Sequence, residues 1–166
     1  MLYTDHYRHA DDIIEHLDTI VPGLPDPLLQ AKYTGFVTVA AVTVYEMAIK
    51  EVFIAFAARE NAVFEAFVES FFRRINGRIR LDDLKGYACR FGQSYEKDFS
   101  ARLSTANSSH LNQYRRDLRS TYSNLILWRH DFAHAGRTAT SATYEEAVQS
   151  YQDGKVVIDC LAQTMR

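Results

Sequence analysis

Between Trp128 and Gly136 the chain reads Arg129-His130-Asp131-Phe132-Ala133-His134-Ala135, a permanent planar cation and an imidazole five residues apart. An arginine fork can grip two oxygens of a phosphate, and an imidazole can take up or release a proton near neutral pH. Together they are equipment to bind a phosphate and move a proton. Arg129 and His134 are therefore the candidate catalytic residues, with His130 and Asp131 as candidate supports. Spacing alone carries little weight: with 14 arginines and 6 histidines in 166 residues, such a pair is expected by chance about once or twice. The surroundings of the pair have to carry the argument.

The apolar run Leu125-Ile126-Leu127-Trp128 leads into the motif and predicts a helix from about His110 to Phe132. At about 100° per residue, Leu111, Leu118 and Tyr122 fall within roughly 20° of Arg129, and Leu125 and Arg115 within roughly 40°. A guanidinium on such a stripe meets a buried carboxylate, faces a second subunit, or lines a cleft where an anion binds. Glu46 and Asp131 are the candidate carboxylates. Ala135 and Gly136 let the chain turn away from His134, although a histidine ending a helix is also explained by the favourable helix dipole.

The elements that must position these groups are helical. Thr4 can cap a first helix from Asp5 to about Ile20, which Pro22-Gly23-Leu24-Pro25 stops. Asp26-Pro27 reads as an N-cap and first helical residue, opening a long helix to Arg59 that carries Glu46. Its middle, Phe36 to Val44, is β-branched enough to resemble a strand, yet no turn signal interrupts it. Asn61 to Asn76 carries an aromatic stripe and stops at Gly77; Leu81–Phe91 and Tyr95–Leu103 predict shorter helices, and Thr105 to Ser109 a polar turn. Ser141 or Thr143 starts the last helix, with Thr143 and Glu146 spaced as a capping box. The expected fold is all-α, one domain over residues 1–166, a bundle of four principal antiparallel helices with additional short ones.

A net charge of -2 and a pI near 6.3 exclude a protein that coats nucleic acid through bulk charge, so any such contact must be local. Of 19 basic residues 14 are arginine, and the densest cluster runs from Arg73 to Arg80. Arg73 and Arg74, better explained as solvated cations complementing a helix C-terminus, are also candidates to guide a nucleic-acid backbone, as is Arg115 through its shared face with Arg129. Cys89 and Cys160 form no disulfide or metal pattern, and His6, His9 and His16 lack the spacing of a ligand set, so no metal is expected. No P-loop, dinucleotide-binding glycine pattern or serine-nucleophile motif is present, so no cofactor is expected. The acidic start lacks the form of a secretory signal and Phe36–Val44 is too short to span a bilayer; a soluble cytoplasmic protein without membrane contact is the expectation.

The string Arg129-His130-Asp131-Phe132-Ala133-His134 resembles the signature of the HEPN superfamily: an Arg, a polar residue, a short spacer and a His, placed late in a helical bundle. The resemblance extends to the long second helix with Glu46 in Val44-Tyr45-Glu46-Met47-Ala48-Ile49-Lys50 and to the capped last helix, and is closest to the stand-alone prokaryotic members of RNase L type. It implies a metal-independent endoribonuclease acting as a homodimer, with the Arg and His of both protomers sharing one cleft. RNA would be the substrate, attacked by its own 2′-OH. A toxin or anti-phage defence effector restrained by an antitoxin or another defence-system protein is the implied setting. The alternative is a non-catalytic adaptor or dimerisation module of the same fold; a generic helical dimer with Arg129 in a buried ion pair is a third reading. Some members carry a modifiable Tyr shortly after the His, where this chain has Ala135, Gly136 and Arg137, so that control is not expected.

Overall fold

Asp26 stands in extended conformation and its carboxylate accepts the Leu28 N–H at 2.8 Å, with Pro27 as first helical residue, so the long helix starts where this cap places it. In the computed structural model, which describes residues 2–136 and 142–166, α1 spans Arg8–Asp18 behind a 3-10 turn at Tyr3–Tyr7, and α2 spans Pro27–Glu60. They are followed by α3 (Ala62–Phe72), α4 (Leu81–Phe91), α5 (Gln93–Tyr114), α6 (Leu118–Ala135) and α7 (Tyr144–Thr164). The fold is all-α, as the periodicities predict, and no strand occurs among the described residues. The β-branched middle of α2 is helical, its Thr38 and Thr43 hydroxyls donating to the Gly35 and Val39 carbonyls. Thr143 caps α7 through the expected box with Glu146, whereas Ser141 and Arg137 lie outside the described residues.

Three expectations are corrected. Thr4 caps no α-helix: it lies inside the 3-10 segment Tyr3–Tyr7, and α1 starts at Arg8 behind Tyr7, which makes no side-chain cap bond. Thr105 to Ser109 is not a turn: α5 runs through it, with the Ser108 hydroxyl donating back to the Ser104 carbonyl at 3.0 Å. The break comes later, at Arg115, whose φ of 59° is left-handed, so Leu111 and Arg115 are not on the helix of Arg129 and the expected helix from His110 is divided in two. Asn107 explains the latter two. From within α5 its amide donates to the Asp117 carboxylate (2.8 Å) and accepts the Leu118 N–H (2.7 Å), so a residue that reads as turn-forming caps the next helix instead. That bond and the Ser120 N–H hold the Asp117 carboxyl below the usual carboxylate range.

The elbow between α5 and α6 is locked onto α7. Asp153, buried, accepts two hydrogen bonds from the Arg116 guanidinium, both 2.9 Å, and lies 3.0 Å from His110 Nε2. A buried carboxylate is stable only when so matched. At the bundle centre Tyr45 of α2 stacks between Tyr122 of α6 (centroids 5.8 Å) and Tyr151 of α7 (5.7 Å) and donates its hydroxyl to the Tyr151 carbonyl. Burial pushes all three tyrosine hydroxyls well above their ordinary pKa, so they act as neutral donors. A second aromatic cluster joins Phe53 of α2 to Phe72 of α3 and Phe91 of α4. Among the described residues no helix is long and apolar enough to cross a membrane.

Gly154 faces Tyr45 so closely that an added Cβ would lie 2.7 Å from the ring carbon Cζ. Alanine in a helix interior normally stabilises by about 1 kcal/mol relative to glycine. Here the fully buried ring has nowhere to move, so Gly154→Ala is expected to destabilise by about 1–3 kcal/mol, read as a lower thermal midpoint.

Candidate functional site

Arg129 and His134 occupy the last two turns of α6. The helix ends at Gly136, whose φ of 60° would strain another residue and whose N–H returns to the Asp131 carbonyl. This cap leaves His134 exposed in the final turn. Arg129 is half-buried and directs Nη1 to within 3.3 Å of His134 Nε2. A guanidinium can only donate, so the contact is a hydrogen bond in the tautomer that leaves the Nε2 lone pair free. The His130 ring, exposed on the same face, lies 5.0 Å from that of His134.

Neither candidate carboxylate pairs with Arg129. Among the described residues no Asp or Glu lies within ion-pair distance of it, and its Nε is buried without an acceptor. Asp131 lends its backbone carbonyl to the cap. Glu46 instead holds a loop: it accepts the Gly77 N–H at 2.6 Å on one oxygen and Lys50 Nζ at 2.6 Å on the other. Gly77 sits at the crest of a tight turn, Ile75 to Arg78, with positive φ at both Asn76 (29°) and Gly77 (75°). The crest faces Arg129: a Cβ at Gly77 would lie 3.8 Å from Nη1.

Three successive residues of this loop are tied to side chains of three helices. Gly77 donates to Glu46 of α2, the Arg78 carbonyl accepts from Tyr87 of α4 (2.9 Å), and the Ile79 carbonyl accepts from Tyr122 of α6 (2.6 Å). The loop is thus a fixed wall of the Arg129 site; Arg74, Arg78 and Arg80, in or beside it, are exposed, and Arg80 shares a cleft with Leu127 and His130 of α6. The Asn76-Gly77 pair is the sequence signal for such a turn; nothing in it points to α6. Arg73 is turned to Glu69 of its own helix at 2.8 Å, and Arg115 caps α5 away from the Arg129 helix face on which it was expected.

Phe132 lies between the two motif residues and packs its ring over Gly35 of α2, where a Cβ would approach its Cγ to 2.5 Å, and against Phe36 edge-on at 5.6 Å. Gly35 therefore lets the end of α6 approach α2 closely, a requirement hidden in a sequence that reads only as a long helix. Among the described residues no three His, Cys, Asp or Glu side chains converge as a metal site would require.

A family model described as RiboL-PSP-HEPN matches residues 5–166 of the chain. No curated protein and no solved structure gave a match. Since Glu46 supports the loop through one backbone amide, Glu46→Ala is expected to cost about 1–3 kcal/mol and to speed hydrogen exchange at Gly77 more than at the α7 core, measured by NMR.

Proposed function

The chain belongs to the RiboL-PSP-HEPN family, and from that premise we propose that it is a metal-independent endoribonuclease whose reacting groups are Arg129 and His134. The HEPN superfamily is generally associated with RNase activity. The observation that carries the reading is the 3.3 Å contact between Arg129 Nη1 and His134 Nε2 on an open face, with no carboxylate neutralising the arginine among the described residues.

In this reading a phosphodiester enters the face and draws the guanidinium onto its non-bridging oxygens. Nε2 of His134, released from Arg129, takes the proton of the adjacent 2′-OH as that oxygen attacks phosphorus. Charge building on the phosphorane is held by the guanidinium. The bond to the 5′-oxygen breaks, and that oxygen needs a proton from a second acid. The His134 of a second copy supplies it in a homodimer, where two half-sites face each other. Exposed Phe36 and Leu127, on either side of the motif, support such pairing. His130 then orients the His134 ring, and Arg74 approaches the strand from the loop side. The setting we propose is a toxin or phage-defence effector held in check by a partner protein in the cytoplasm.

Purified protein in EDTA is expected to cleave RNA to 2′,3′-cyclic phosphate and 5′-hydroxyl ends. His134→Ala should lower kcat by about 10²–10⁴-fold and Arg129→Ala by about 10²–10³-fold, with circular dichroism unchanged. Equal cleavage by His134→Ala defeats the assignment. Sedimentation should show a dimer, and replacing Phe36 and Leu127 together by Asp should give monomers that have lost cleavage.

A further inference from the structure

A groove of about 680 Å³ runs between α3 and α4 beneath the pinned loop, lined by Phe67, Phe71, Arg74, Arg78, Tyr87 and Arg90 together with Asp82 and Asp83. Its composition is unusual for a solvated helix junction. Phe67 is 69% exposed, an aromatic ring that contributes nothing to the core. Arg74 and Arg78 are exposed and have no ion-pair partner among the described residues. Arg90 lies 4.8 Å over the Phe71 ring, which leaves its outer edge for an anion.

Two carboxylates in the same lining offset part of this charge, leaving three cations against two anions. Asp83 accepts the Arg80 N–H at 2.9 Å as the cap of α4, and Asp82 lies 3.7 Å from Lys85. Three guanidinium groups and a bare aromatic face therefore share one groove. Ile75 and Arg78 of its lining belong to the turn whose crest, Gly77, faces Arg129, so a single loop stands between groove and site.

We propose that this groove binds single-stranded RNA, holding the strand that extends from the Arg129–His134 site. Arg74 and Arg78 contact successive phosphates and a base stacks on Phe67. Stacking on an open ring tolerates any base but needs it unpaired, so the groove selects single strands over duplex. A chain with net charge -2 thereby captures a polyanion through one restricted surface. The assignment rests on the nuclease reading for its ligand.

The test is fluorescence anisotropy of a labelled 2′-O-methyl RNA decamer, which cannot be cleaved, titrated with the full chain across a salt series. Phe67→Ala should weaken binding about tenfold. The double variant Arg74→Ala/Arg78→Ala should weaken it more and reduce the slope of log affinity against log salt by about 1.4, two phosphate contacts' worth. A duplex of the same sequence should bind the wild type more weakly and ignore Phe67→Ala. Binding of the decamer unchanged in both variants, or a duplex bound as tightly as the single strand, overturns the proposal. Because these positions are exposed, unchanged circular dichroism is expected of each variant, and an Arg74→Lys/Arg78→Lys protein should keep the salt slope. The uncleavable strand decides the groove even if His134→Ala leaves cleavage intact, the result that defeats the nuclease reading instead.

Discussion

Tyr45 and Glu46, consecutive on α2, carry the two demands that the rest of the molecule answers. Successive helical residues point about 100° apart, so Tyr45 enters the core while Glu46 reaches the loop above Arg129. The tyrosine ring is clamped between Tyr122 and Tyr151, which registers α2 against α6 and α7. Its hydroxyl has to find an acceptor, because a buried unpaired donor costs more than the bond contributes, and the Tyr151 carbonyl is the one offered. Gly154 is bare because the ring passes over it.

Glu46 then converts that register into a site. With α2 fixed, its carboxylate captures the Gly77 N–H, while Tyr122, a member of the same stack, captures the Ile79 carbonyl. Core and loop are thus coupled through one residue of α6, seven positions before Arg129. The end of α6 is held independently by Phe132 over Gly35. A guanidinium kept between a rigid turn and an imidazole is preorganised for an anion, since few degrees of freedom remain to be lost on binding. The charge needed to bring that anion in is local: exposed arginines share the loop that walls the site, although the chain as a whole is slightly acidic.

Short-range order was legible because its causes are short-range. Asp26-Pro27, the Thr143–Glu146 box and Gly136 after the last apolar turn each act within five residues, and each appears where its chemistry predicts. Asn107 misleads for the opposite reason. Its amide was free to make an Asx-type turn locally, but its partners lie ten and eleven residues ahead on the next helix, so α5 stays helical through a polar stretch. Arg115 was misplaced with it, because a wheel drawn through the elbow assigns a face that the left-handed residue destroys.

The amino-acid order by itself determined an all-α chain and the five-residue spacing that sets Arg129 and His134 on one helix end. It left three fates open for the guanidinium: a buried carboxylate, a second subunit or an anion cleft. Tertiary structure turned it toward His134 and the Gly77 crest and left it without a carboxylate among the described residues. Those decisions depend on Glu46 meeting Gly77 across 31 residues and Tyr122 meeting Ile79 across 43. Such contacts exist only once the helices have packed, since no local propensity favours a carboxylate for one distant amide over another; the packing of Tyr45 selects them.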